Sequence, residues 1–211
     1  MVKLVAREAI GSRHQIFVEN LVALSMGKIR KCEKVNPARN EISNGVKLIT
    51  ALISNDIRAF DKIKSMLEKK LHNTVDFESP LLDFTHTDYY NEEMGFNLKR
   101  KFLSFKRKAP LENIEKVKLV TNAIENKMSI NGKRTINIDP GYLDLSKLIL
   151  FSTKDYSHRI YISRGIFAEV TLYYKDKKFN PWPWTYPDYK SKDYISVFDS
   201  IREIYKKQIS D

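Results

Sequence analysis

The residue types best suited to acid–base or anion-binding chemistry gather in the second half of the chain: Asn137 and Asp139, then Lys154, His158 and Arg159, then Glu169 and Thr171. Alternation along a strand sends Asn137 and Asp139 to one face and Ile136 and Ile138 to the other. If that strand shares a sheet with residues 158–174, Arg159, Glu169 and Thr171 join the same face. A sheet face carrying Asn, Asp, Arg, Glu and Thr is costly unless it is wet, paired or filled by a ligand. One reading is a cross-strand Arg159–Glu169 ion pair that serves stability alone. The other is a site in which Lys99, Arg100, Lys154 and Arg159 neutralise a small anionic or phosphorylated ligand, a nucleotide among the options. Asp139 and Glu169 would then orient the cations or act as acid and base. The same register turns His158 toward the apolar face.

Three further sets of residues have chemical potential. His86, Asp88 and Glu92, with Asp83 and Glu93, put carboxylates and an imidazole on one loop, enough for a divalent cation and a metal-assisted hydrolase, although the spacing matches no known metal loop. The Glu pair equally suits the cap of a short helical turn. Lys99-Arg-Lys101 and Lys106-Arg-Lys108 flank Phe102 and Phe105; a basic strand with exposed aromatics can stack and neutralise RNA, whereas Lys on an edge strand can simply deter aggregation. Finally, Pro181-Trp-Pro-Trp-Thr-Tyr-Pro-Asp-Tyr189 is too rich in Pro for a helix and reads as an extended aromatic clasp.

The elements that must position these residues follow from periodicity. Val46–Ile53 is nearly continuously apolar, as a central strand buried on both faces should be. Ser54-Asn-Asp56 offers caps to a helix with Ile57, Phe60, Ile63, Met66, Leu67 and Leu71 at helical spacing. A strand at 75–77, a polar loop over 83–95 and a strand at 98–106 come next. Pro110 opens a second helix with Ile114, Val117, Val120, Ile124 and Met128 buried, and a strand over 134–139 ends before Pro140. This βαββαβ order predicts an α+β domain with an antiparallel or mixed sheet and a ferredoxin-like core, extended by a C-terminal hairpin and helix. Residues 144–153 fit a short helix capped by Asp144 better than a strand. Residues 158–174 form a hairpin; a three-residue loop, Ser163-Arg-Gly165, pairs Ile160 with Ala168, Tyr161 with Phe167 and Arg159 with Glu169. The last helix starts near Ser191. Residues 46–211 thus make a single domain. Residues 1–45 read as a tail in which Phe17, Leu21 and Leu24 suit a short helix, and Met26-Gly27 offers a second initiation site.

Composition narrows the classes further. One cysteine and four histidines exclude a disulfide framework and a zinc cluster. No aliphatic or aromatic run exceeds the four residues of Leu148–Phe151, far short of a membrane span, so the expectation is a cytoplasmic protein with no membrane partner. There is no GxxxxGK[ST] loop, GxGxxG, GxSxG or HExxH, so no cofactor is expected and any nucleotide would be held without a P-loop. The net charge of +11 suits a polyanion, and keeps open an RNA-binding or ribosome-associated role, but a Lys-rich solvated surface explains it as well.

Six segments carry a resemblance: Asp88-Tyr-Tyr-x-Glu-Glu-Met-Gly95, Lys99–Phe105, Asn137-Ile-Asp-Pro-Gly-Tyr-Leu143, Ser152–Tyr161, Ala168-Glu-Val-Thr-Leu172 and Pro183–Tyr189. Together, and in this order from about Val46 to the C-terminus, they resemble the prokaryotic family called domain of unknown function 4416. The resemblance implies a stand-alone cytoplasmic protein beginning shortly before the first strand, which favours Met26 as the start. It brings no established activity.

Overall fold

The computed structural model describes residues 45–210, which contain nine strands and four α-helices. The expected tail and its short helix lie outside the described residues. Strand β1 (Lys47–Ser54) is buried at every position, as its unbroken apolar sequence requires. Helix α1 (Ile57–Leu71) follows, with the Asp56 side chain accepting from the Arg58 N–H at its N-terminus. After it come β2 (Val75–Glu78), β3 (Leu82–Asp83), the one-turn helix α2 (Asn91–Met94), β4 (Lys99–Phe105) and helix α3 (Lys116–Met128). The chain is completed by β5 (Asn137–Leu143), β6 (Lys147–Ser152), β7 (Ile160–Ser163), β8 (Ile166–Lys175), β9 (Lys178–Pro181), a 3₁₀ turn at Asp188–Lys190 and helix α4 (Lys192–Ser210).

All pairings are antiparallel, in the order β2-β4-β1-β5-β6-β8-β7, with β3 beside β4 and β9 beside β8. The α+β class is as expected, but nine strands exceed the four of a ferredoxin-like core. One sheet face, through Leu48, Leu52, Leu103 and Ile138, packs on Phe60, Ile63 and Leu67 of α1 and Ile124 of α3. The opposite face, through Ile49, Ala51, Phe102, Leu148, Leu150 and Leu172, packs on Phe198, Ile201 and Tyr205 of α4.

Three local expectations are corrected. Residues 147–152 are strand β6, not a helix: Leu148 and Leu150 meet the α4 side while Ile149 and Phe151 enter a separate cluster with Val46 and Ile166. A strand buried on both faces has no period-2 signal to set it apart from a short helix. Second, β5 runs through Pro140 to Leu143. The N–H and C=O of Ile138 bond to Glu125 and Lys118 of α3, so the outer edge of β5 at this level faces helix rather than strand. Pro140, two residues on, aims its missing donor along that same edge, where no ladder bond is lost. Third, the β7–β8 loop has two residues. Arg164 and Gly165 both have positive φ (55° and 75°), as a type I′ turn requires, and Ser163 pairs with Ile166. A bulge between Tyr161 and Ser163 absorbs the extra residue, which preserves the expected pairs Ile160–Ala168 and Tyr161–Phe167.

Candidate functional site

Register alone assembles the polar face. Ile53 opposes both Arg100 and Asn137, Ala51 opposes Phe102 and Asp139, Gly141 opposes Leu150, and Leu150 opposes Glu169. Directly opposed residues share a face, so Arg100, Asn137, Asp139 and Glu169 all lie on the α4 side, beyond the end of its apolar cluster. The two expected halves of the site therefore do share one sheet.

The first cluster centres on Asp139. Asn137 Nδ2 donates to its Oδ2 at 2.8 Å, Arg100 Nη1 stands 3.6 Å from the same oxygen, and Lys118 Nζ is 3.9 Å from Oδ1. Arg134 extends the chain outward, donating to Asn137 Oδ1 at 3.0 Å and gripping the Glu93 carboxylate through Nε and Nη2. That pairing holds the Glu93 carboxyl below its usual range. Arg100 is the deepest member. Its guanidinium, 3% exposed, donates to Asp188 Oδ2 at 3.0 Å and is surrounded by Phe84, Phe102, Tyr189 and Tyr194, with ring centroids 4.9–5.8 Å away. Burial opposes its charge, yet the surrounding tyrosines, Asp188 and Asp139 more than compensate, so it stays protonated. Burial pushes Asp188 up despite Arg100, and pushes up Glu125, whose partners are Lys118 and the Ile138 N–H.

The second cluster centres on Glu169, whose side chain is only 3% exposed. Arg159 Nε donates to its Oε2 at 2.7 Å, His158 Nε2 lies 3.2 Å from that oxygen, and Thr171 Oγ1 donates to Oε1 at 3.3 Å. The predicted Arg159–Glu169 pair is present. His158, expected on the apolar face, instead joins this carboxylate because the turn at Tyr156–Arg159 precedes β7 and escapes its alternation. Its ring is sandwiched between Tyr156 and Trp184, both 6.0 Å away, and Trp184 stacks in turn on Trp182. The Pro-rich clasp thus seats His158. Glu169 and Thr171 are too enclosed to meet a ligand and act by holding Arg159 and His158.

A strip from Tyr89 to Glu93 spans the clusters. Phe84, Met94 and Leu98 pack with Ile53 to anchor it, and Asn91 bonds the Asp88 carboxylate at 2.7 Å across the α2 turn. From this strip Glu93 reaches Arg134, while the Tyr89 hydroxyl accepts from Lys154 Nζ at 3.0 Å. Lys154 also sits 4.7 Å above the Tyr89 ring, and its hydrogen bond lowers the phenol's pKa. Arg159 Nη1 binds Ser152 Oγ at 2.9 Å and the Lys154 carbonyl at 3.0 Å, which ties Lys154 to the second cluster. A shallow depression of about 360 Å³ lined by Tyr89, Glu92, Glu93 and Lys133 adjoins the strip; Asp139 and Glu169 do not line it.

Other expectations are revised. Lys99 opposes Ser54 on the α1 side of the sheet and pairs with Asp83, so it takes no part in this face. Phe102 and Phe105 are fully buried and β4 is an interior strand, which removes both the exposed aromatics an RNA-stacking strand needs and the edge position that would explain protective lysines. Among the described residues no three His, Cys, Asp or Glu side chains converge to hold a metal, so His86, Asp88 and Glu92 form no ligand set. Arg134, Lys118, Glu125 and Asp188 were missed. Lys118 and Glu125 had a signal, since charges at i and i+7 inside the apolar stripe of α3 must reach partners across the sheet.

The model of a family described as domain of unknown function (DUF4416) matches residues 44–205. The chain belongs to this family. The match spans β1 through most of α4, so every member of both clusters lies inside the DUF4416 domain. No curated protein and no solved structure matches the chain.

Proposed function

We propose that the protein binds a small anionic, phosphorylated ligand on this sheet face, between the Tyr89–Glu93 strip and the Ser152–Arg159 segment. Lys154 carries the reading. Its ammonium stands at the exposed rim with a phenol and no carboxylate partner among the described residues. Arg100, Arg134 and Arg159 are each committed to carboxylates of the same face, which leaves Lys154 as the uncommitted cation at its rim. Asp139 and Glu169 serve to orient the cations. The scaffold reading is a split βαβ core of β1, α1, β2, β4, α3 and β5, supported by the order β2-β4-β1-β5 and by α1 and α3 sharing one face.

Calorimetric titration with inorganic pyrophosphate tests the site. A charge-assisted contact is worth about 1.5–3 kcal/mol, so Lys154→Met should weaken binding roughly 10- to 100-fold, while Lys62→Met on exposed α1 should change nothing. Equal losses in both variants, or no binding by the wild type, would reject the reading.

A further inference from the structure

Among the described residues, β2, β3, β7 and β9 each pair with one neighbour only. Three of these margins carry features that discourage pairing with another chain. β9 has Lys178 and Pro181, β3 is only two residues long, and β2 holds Asp76 and Glu78 in ion pairs with Lys47, Lys64 and Lys101. β7 differs. Its sequence, Ile-Tyr-Ile-Ser, has no charge and no Pro, and Ile160, Tyr161 and Ile162 are 71%, 58% and 44% exposed. The cations that flank it are paired within the chain: Arg159 Nε donates to Glu169 Oε2 at 2.7 Å, and Arg164 Nε stands 3.5 Å from Glu115 Oε1. A protein of net charge +11 thus presents one uncharged, apolar strand edge.

We infer that β7 pairs with β7 of a second copy of this chain, antiparallel and about a two-fold axis through Tyr161, so that two sheets become one. The open N–H and C=O groups of an edge are satisfied by another strand. Successive strand residues alternate between faces, whereas directly opposed residues share one. A two-fold antiparallel pair must therefore set one residue opposite its own copy. Tyr161 is the centre that covers all three exposed side chains, because Ile160 then opposes the partner's Ile162. Centring on Ile160 would set Tyr161 against the enclosed Arg159, and centring on Ile162 would set Ile160 against Arg164. Charge also selects the copy. An acidic strand finds no open cation here, while two basic chains can approach only where their cations are neutralised from within. β7 is four residues long, with a bulge between Tyr161 and Ser163, so the shared ladder is short and the dimer weak and reversible. This pairing is independent of the proposed anion site.

Analytical ultracentrifugation of the full chain from about 5 to 500 µM should show a monomer–dimer equilibrium with a Kd on the order of 10–100 µM. Ile160→Lys, which sets an ammonium against the partner's Ile162, should raise that Kd at least about tenfold. Ile57→Lys, the same change at an exposed isoleucine of α1, should leave it as it was. The register has its own readout. Opposed residues of an antiparallel pair have Cα atoms about 4.5–5.5 Å apart, within reach of a disulfide. With the chain's single cysteine removed as Cys32→Ser, Tyr161→Cys should cross-link two chains on oxidation, and Ser163→Cys, placed opposite Arg159, should not. A wild type that stays monomeric at the highest concentration overturns the inference. Equal weakening by both lysine variants overturns it too, as does cross-linking by neither cysteine variant or by both alike. The wild-type and cysteine results decide the matter even if Ile160→Lys proves unstable.

Discussion

Arg100 is the residue whose removal should cost the fold most per atom changed. Arg100→Met keeps an apolar stem among Phe84, Phe102, Tyr189 and Tyr194 but leaves Asp188 buried, 8% exposed, without its 3.0 Å partner. Breaking a buried pair from one side costs about 3–5 kcal/mol. For a domain of this size each kcal/mol lowers Tm by roughly 2–4 °C, so a drop of roughly 6–20 °C is expected at pH 8. Acid should soften the loss. Burial raises the folded pKa of Asp188 above its unfolded value, so its contribution is fully present below the unfolded pKa and is lost as pH rises through the folded one. Without Arg100 that rise grows, and the gap between wild type and R100M should narrow as pH falls from 8 to 5. Replacing Asp188 as well, in R100M/D188N, should recover at least about 2 kcal/mol, because the cost lies in the orphaned charge more than in the lost pair. Urea unfolding of the wild type, R100M and R100M/D188N at both pH values measures all of this. A loss below about 1 kcal/mol for R100M, a pH-independent gap, or no recovery in the double variant would refute the reasoning.

Other perturbations separate structural from surface interactions. Gly141→Ala would set a Cβ 2.1 Å from the Ile149 carbonyl oxygen, forcing β5 and β6 apart; a loss of about 3 kcal/mol or more is expected in urea unfolding. Glu169→Ala, which strands the enclosed Arg159 guanidinium, should cost about 3–5 kcal/mol and release the His158–Trp184 stack, visible as a change in Trp fluorescence. Glu78, held below its usual carboxylate range by hydrogen bonds from Lys101 and Lys64, is a half-exposed surface group. Glu78→Gln should cost at most about 1 kcal/mol at pH 7, and this contribution should fade only as pH falls below the ordinary Glu value of 4.5. Lys154→Met should raise the ionisation pH of the Tyr89 phenol, read by ultraviolet difference titration against Tyr89→Phe.

What could be read from the sequence was what periodicity encodes. β1, α1 and the Arg100/Phe102 alternation of β4 follow directly from their patterns, and the placement of Asn137 and Asp139 on the face of Glu169 needed only alternation plus the guess that one sheet holds both. β6 was illegible because both its faces are buried, and β5 beyond Pro140 because nothing local reveals which edge of a strand lacks a partner. The two-residue loop was hidden by a bulge at Ile162, which restores the register that such a loop alone would break. The aromatic cage of Arg100 and the strip carrying Tyr89 and Glu93 were beyond reach for another reason. Both depend on segments far apart in sequence, Phe84 to Tyr194 and Tyr89 to Lys154, brought together only by the order of strands in the sheet.

The central claim, that a small anion binds on the Asp139 and Arg159 side of the sheet, is tested most directly by where binding is felt. In ¹H–¹⁵N spectra of the full chain titrated with inorganic pyrophosphate at low and at 0.5 M salt, saturable shifts should concentrate at 88–93, 137–139 and 152–159, weakened but still localised at high salt. Shifts spread over the lysines of α1 and α4 and erased by salt would contradict it.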